Sequence, residues 1–330
     1  MPLSRRAALI GAGAAFAASA AEAQQSFPSR PVRLIVPIAA GGANDITARM
    51  VAERLAVVLG QPVVVDNRPG AGGNLGALAV AQAEKDGHTL LFTSATVLAA
   101  NKFLYRTQMP IDPLRDLAPI TRVGQFSILL VVNSQRPFRT LAELVAFARA
   151  NPGRVTMGSS GTGTISHLYL EKLNRAAGIQ ITHVPYRGGS LAIQDLASGT
   201  IDMMFDAIPA LLPHIREGRF RPLAVGSAQR ISFVPELVDV PGMAEALPGS
   251  GIDAQNWFAV VAPAGTPAGP INTLHAALTR VMADEALAAR LKPLSVLAMT
   301  DPSPAAFGEF WRAQEPIWRD LVEQSGATAE

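Results

Sequence analysis

Two stretches of this chain carry chemistry in their backbone more than in their side chains. They are Ala39-Ala40-Gly41-Gly42-Ala43-Asn44-Asp45 and Ser159-Ser160-Gly161-Thr162-Gly163-Thr164. Each joins a run of strand formers to a helix-period run, and their glycines stand 120 positions apart, Gly41 against Gly161. The first turn of a helix leaves N–H groups without partners, and the helix dipole adds partial positive charge there. A glycine turn lets a ligand come close to that backbone, so an anion can bind without a side-chain cation. Ser159, Ser160, Thr162 and Thr164 add hydroxyl donors to the second turn. If the two turns face each other across a cleft, they hold the two ends of a dianion. The alternative is an ordinary pair of strand-to-helix turns, with Asn44 or Asp45 and Thr162 or Thr164 as helix N-caps.

Other candidates cluster near these turns. His167 falls in the first turn of the second helix, where it either reaches a ligand or bonds the neighbouring loop. Tyr186 and Arg187, in Val184-Pro185-Tyr186-Arg187-Gly188-Gly189, offer a bidentate carboxylate clamp or a solvated loop charge. Asp206 ends a strand. A carboxylate there repels an anion unless it binds a ligand ammonium or caps backbone N–H groups. Trp257 and Phe258 read as core or hinge packing.

Several chemistries are poorly matched. Arg68-Pro69-Gly70-Ala71-Gly72-Gly73-Asn74-Leu75-Gly76 lacks the G-x-G-x-x-G spacing and the G-K-[ST] ending of nucleotide loops. No G-x-S-x-G is present around Ser160. The five histidines form no H-x-x-H pair, and there is no cysteine. No metal, cofactor or catalytic residue is therefore expected. A hydrolase remains the alternative, because a triad assembles in space. Its geometric requirement is a Ser or Thr oxygen within about 3 Å of His167 or His183.

The elements that must position these residues alternate strand and helix. Strands are expected at 32–38, 63–66, 89–93, 128–132 and 155–158, and helices at 46–59, 75–83, 141–150 and 165–177. Short buried strands alternating with amphipathic helices indicate an α/β architecture. The 330 residues allow two domains. Charged residues are 16% of the chain, 28 basic against 26 acidic, with no basic cluster, so nucleic acid is not expected as a partner. The N-terminus has the layout of an export signal: Arg5 and Arg6, an apolar stretch from Ala7 to Ala21, and Ala21-Glu22-Ala23 as cleavage site. It predicts an exported, periplasmic protein, and the arginine pair resembles a twin-arginine signal.

Taken together, these stretches resemble the periplasmic solute receptors of tripartite tricarboxylate transport systems, the Bug-type receptors. The similarity runs through residues 27–49, 63–77, 86–94, 158–168, 184–189, 205–225 and 257–274, nearly the whole chain after the signal and in family order. It implies a type II periplasmic-binding-protein fold of two lobes, each a mixed, mostly parallel sheet flanked by helices, with the ligand in the cleft between them. Lobe one is expected at 24–124 plus 226–330 and lobe two at 125–225, with hinges near 124–128 and 223–226.

The resemblance also implies which residues contact the ligand. In the first lobe they are Ala39, Ala40, Gly41, Gly42, Asn44 and Asp45, with Thr93, Ser94 and Ala95 on the same wall. In the second they are Ser159, Ser160, Gly161, Thr162, Gly163, Thr164, Tyr186, Arg187 and Asp206; His167 joins these candidates from its place in the first helical turn, not from the resemblance. The implied ligand is a small organic acid, and the implied partner a membrane permease met only in transport. A monomer is expected. Ile38, Asn44 and Ala207 depart from the family pattern, which has larger rings, Ser or Thr, and Asn at those positions.

Overall fold

A computed structural model describes residues 27–41 and 43–328. The export signal expected at residues 1–23 and the turn residue Gly42 lie outside the described residues.

The first unit alternates strand and helix. β1 (Val32–Val36) leads to α1 (Ala43–Leu59), then β2 (Val63–Asn67), α2 (Asn74–Ala81) and β3 (Thr89–Ser94). β2 and β3 both pair with β1 in parallel. α1 starts three residues before the apolar period shows, because Asn44 and Asp45 belong to its first turn. After β3 the chain coils through a π-helical turn, Thr96–Ala100, and a short turn, Asn101–Leu104.

The strand expected at 128–132 is the far end of a much longer one. β4 runs unbroken from Leu117 to Asn133. The second unit then repeats the alternation: α3 (Leu141–Ala150), β5 (Thr156–Ser159), α4 (Ile165–Ala177), β6 (Thr182–Pro185), α5 (Gly189–Ser198), β7 (Met203–Ala207), α6 (Ile208–Arg216) and β8 (Phe220–Val225). β9 (Gln255–Pro263), α7 (Ala268–Met282), α8 (Glu285–Leu291), β10 (Val296–Leu297) and α9 (Pro304–Ser325) complete the chain.

All strands join one sheet, ordered β2-β1-β3-β9-β4-β7-β5-β6, with β8 and β10 also on β4. It is parallel on its outer halves and antiparallel around β4. β4 pairs with β9 as far as Ser127, then with β7 and β8 from Ile128 or Leu129 onward. Two apolar clusters are local. One packs α1 and α7 onto β1 and β3, with Leu34, Leu55, Phe92 and Leu278. The other packs α5 and α6 onto β7 and β8, with Leu196, Met204 and Leu211. A third cluster spans both units through Leu91, Leu130, Met157, Leu168, Trp257 and Trp311. α9 lies along it and touches α4.

Directionality follows from the pairings. β4 runs parallel to β1 and β3, since β9 is antiparallel to both β3 and β4. β7 is antiparallel to β4 and parallel to β5, which is parallel to β6. The C-terminal ends of β1 and β3 therefore point toward those of β5, β6 and β7. On β4 the end of β3 stands level with Gly124 through Phe258, and Ala207 stands level with Ile128. Four residues of strand separate those levels, about 13 Å.

Candidate functional site

Ligands of open α/β sheets bind beyond the carboxyl ends of the strands. Here both sets of ends converge on the point where β4 changes partners. The crossing is tight. Gly226 N–H donates to the Ile128 carbonyl at 2.7 Å, and Ala254 N–H to the Gly226 carbonyl at 2.7 Å. A methyl group on Gly226 would fall 2.9 Å from that Ile128 oxygen, so the close approach requires glycine.

Between the strand ends lies a cavity of about 200 Å³. Asn44 and Ser94 face it from one side, and Ala207 and Pro209 from the other. Phe126 and Phe258 form its apolar wall, their rings stacked with centroids 4.5 Å apart. Asn44 is 9% exposed, and its side-chain oxygen is buried without a hydrogen-bond partner. Of the three β3-end residues expected on this wall, Ser94 alone lines the cavity. Thr93 and Ala95 are fully buried. The alternation of strand side chains sends them to the opposite face, toward the spanning core.

The first turn is held by charge. Ala39, Ala40 and Gly41 are exposed, and Gly41 has φ 93°. Asp45, 2% exposed, accepts from Gly41 N–H at 2.9 Å, from Arg49 Nε at 3.1 Å and from Asn67 Nδ2 at 2.9 Å. Asn67 also accepts from Arg49 and donates to the Ile38 carbonyl. Burial pushes the Asp45 carboxyl up. Bonds from Arg49, Gly41 and Asn67 more than offset this, holding it below its ordinary range.

Neutral groups hold the second turn. Ser159 Oγ accepts from Gly161 N–H at 3.2 Å. Thr164 Oγ1 donates back to the Gly161 carbonyl at 2.6 Å, and Gly163 N–H donates to His167 Nδ1 at 3.1 Å. His167 thus bonds its own loop. Its ring stacks on His183, with centroids 4.0 Å apart. His183 Nε2 lies 2.6 Å from Ser159 Oγ. Burial, and then the neighbouring His167, push the His183 imidazole down to about 4. Burial also lowers His167. Thr164 is the N-cap residue of α4, yet its side chain makes no capping bond. Gly188 and Ala207, the N-cap residues of α5 and α6, have no polar side chain to cap with, and Pro209 stands in the first turn of α6. Beyond the far end of β4, Thr140 does cap α3. The α4 N-terminus is therefore open, whereas Asp206 lies at the starts of α5 and α6. Thr162 is exposed and Ser160 half-buried, so the turn is accessible.

The remaining candidates are engaged elsewhere. Tyr186 Oη donates to Asp195 Oδ2 at 2.7 Å, and burial followed by that bond pushes its hydroxyl up to about 12. Arg187 is exposed, and among the described residues it has no ion-pair partner. Asp206 accepts from Ala207 N–H at 2.7 Å, and its other oxygen lies over Gly189, where a methyl group would sit 2.6 Å away. It caps backbone. Burial raises its carboxyl. Sequence reasoning missed Asn67, Phe126 and the cavity wall formed by Leu294 and Val296, and it named His183 only as a possible base beside a Ser or Thr oxygen. Asn67 alone had a local signal, at the end of β2 beside Arg68-Pro69-Gly70.

The family model of the tripartite tricarboxylate transporter family receptor matches residues 47–308. Protein BugT of Bordetella pertussis is 34% identical over 99% of this chain and 99% of its own length. Among solved structures, Rpa4515 of R. palustris with adipate superposes with a TM-score of 0.80 at 33% identity, covering 92% of this chain and 99% of that one. MatC from Rhodopseudomonas palustris with bound malate gives 0.75 at 31%, covering 90% and 100%. The chain belongs to the tripartite tricarboxylate transporter receptor family, and its fold is that of these solute-binding receptors.

Proposed function

We propose that this receptor-family member is an extracytoplasmic solute-binding protein that captures a small carboxylate for a tripartite tricarboxylate-type permease, without catalysing a reaction. One observation supports the reading: α4 starts from the end of β5, among the converging strand ends, and no side chain caps its N-terminus. A carboxylate satisfies those N–H groups where no side chain does. Adipate and malate in the related structures agree with an acid as ligand. The lobes divide at the crossing, near 124–128 and 223–226, and close on the ligand by hinge motion. The periplasm is the site of action, in keeping with the N-terminal signal. Among the described residues no helix is long and apolar enough to cross a membrane.

Thermal unfolding of the purified protein against organic acids tests this. A ligand specific to the folded state at 100 times its Kd adds about 2.7 kcal/mol. A cooperative melt that no acid shifts contradicts the reading.

Ser159 and His183 favour a second reading, a hydrolase, since 2.6 Å meets the nucleophile–base distance. Other features oppose it. Ser159 is fully buried and its hydroxyl also engages Gly161. An imidazole titrating near 4 is a weak base at neutral pH. No carboxylate bonds His183 among the described residues. Ester turnover abolished by Ser159→Ala would establish the hydrolase; no turnover is expected.

A further inference from the structure

The two imidazoles behind the α4 turn differ in what a proton does to their bonds. His167, 7% exposed, accepts from Gly163 N–H through Nδ1 at 3.1 Å. A ring nitrogen that accepts carries no hydrogen, so the neutral ring holds its proton on Nε2. Protonation adds a second N–H on Nδ1, directly opposite the Gly163 N–H. Two donors cannot bond each other, and a backbone N–H turns away only if the loop moves. His183 behaves otherwise. Its Nε2 lies 2.6 Å from Ser159 Oγ, and that hydroxyl also reaches the Gly161 carbonyl at 3.1 Å. Protonated His183 donates to Ser159 Oγ while the hydroxyl points to Gly161, so this bond survives. The rings stack with centroids 4.0 Å apart and planes 7° apart, so a charge on one opposes a charge on the other.

The charged groups on the surrounding elements are committed elsewhere. Glu171, one turn beyond His167 on α4, bonds Asn174, and burial raises its carboxyl. Lys172 interacts with Asp253. Asp206 at the end of β7 takes the Ala207 N–H. Past β6, Tyr186 bonds Asp195 and Arg187 is exposed. Lys102 pairs with Asp112 and with Glu315 of α9, whose other charged residues are exposed. β5 carries no charge. Among the described residues no carboxylate bonds either ring, so nothing there favours the imidazolium.

We infer that His167 is a proton-operated switch: uncharged, it holds the Gly163 N–H inward; protonated, it releases it, and residues 161–164 take a second conformation. The state of one imidazole thus decides whether that N–H is tied to the ring or free at the start of α4. The change reaches the first unit, because Leu104 packs on Gly163, where a methyl group would lie 3.1 Å from it. Burial lowers the His167 imidazole, which keeps the inward state in place at neutral pH.

The test labels the purified protein with nitrogen-15 at glycine and histidine and follows Gly163 and His167 by nuclear magnetic resonance. At neutral pH, His167 Nδ1 should show the shift of a bare acceptor nitrogen and Nε2 that of an N–H. On acidification the Gly163 signal should move together with the His167 titration, with a midpoint below 6.5. His167→Asn offers an amide oxygen in place of Nδ1, so its Gly163 signal should not respond to pH. His167→Leu offers no acceptor, and at neutral pH its Gly163 amide should exchange with solvent about tenfold faster than in the parent. His183→Gln should leave the Gly163 response in place. A proton on Nδ1 at neutral pH, a Gly163 signal indifferent to the His167 titration, a response that persists in His167→Asn, or equal exchange in His167→Leu and the parent overturns the inference. The tautomer of the parent, read at neutral pH, decides the matter even where His167→Leu does not fold or acid unfolds the chain. No readout involves an added organic acid, so failure of the switch leaves the carboxylate-receptor reading intact.

Discussion

The turn at 39–45 and the turn at 159–164 share a layout in sequence and are stabilised by opposite means. In the first, a buried carboxylate gathers Gly41, Arg49 and Asn67 around itself, so the helix carries its own anion. In the second, hydroxyls and uncharged imidazoles fix the loop, and the α4 N-terminus is left open. A glycine turn before a helix is thus only a potential anion site. Whether it stays available depends on what the first helical turn and the neighbouring strand ends place beside it.

This contrast breaks most visibly on removing the charge at the first turn. Asp45→Ala leaves Gly41 N–H, Asn67 and Arg49 without their partner, and a loss of about 2–3 kcal/mol is expected. Ser159→Ala should lose about 1 kcal/mol. Urea denaturation of the two variants measures both, and equal losses would erase the distinction.

Acid separates the turns next. The His183 imidazole titrates near 4 when folded and near 6.5 when unfolded. The unfolded chain takes the proton first, so its stabilising contribution is complete above 6.5 and lost as pH falls toward 4. The loss is on the order of 2 kcal/mol after allowing for partial exposure. Asp45 stays below its ordinary 3.8, so its contribution is intact above that value and lost only on further acidification. Stability measured from pH 7 to pH 4 should therefore decline, and His183→Gln should flatten the decline.

Glycine substitution gives a smaller effect. Gly163 has φ 76°, and a methyl group there would lie 3.1 Å from Leu104. Gly41 has φ 93° but open space around it. Gly163→Ala should lose about 1–2 kcal/mol and Gly41→Ala about 1 kcal/mol or less, read by thermal melts. Arg187→Ala should change stability and acid affinity least, within about 0.5 kcal/mol. A tenfold loss of affinity would instead make Arg187 a ligand clamp.

What the sequence disclosed follows the same physics. α3 and α4 lie where the amphipathic period placed them, at 141–150 and 165–177, because each repeats its apolar face over three turns. β4 was legible only in its last third. Pro119, Thr121, Arg122 and Gln125 interrupt the apolar run, and the strand continues through them because β9 pairs alongside with two register shifts. Both turns showed as glycine punctuation. The difference between them did not, because Asn67 lies 22 residues from Asp45 and His183 lies 24 from Ser159. The cavity wall draws on Val296, still farther along the chain. Asn44 and Ala207, two departures from the family pattern, both face that cavity.

The central claim is that the ligand's carboxylate sits on the open N-terminus of α4. A crystal structure with the tightest-binding acid tests it most directly. The account predicts carboxylate oxygens about 3 Å from backbone nitrogens between Thr162 and Ser166. A carboxylate ion-paired with Arg187, or bound outside the cleft with those N–H groups in solvent, would contradict it.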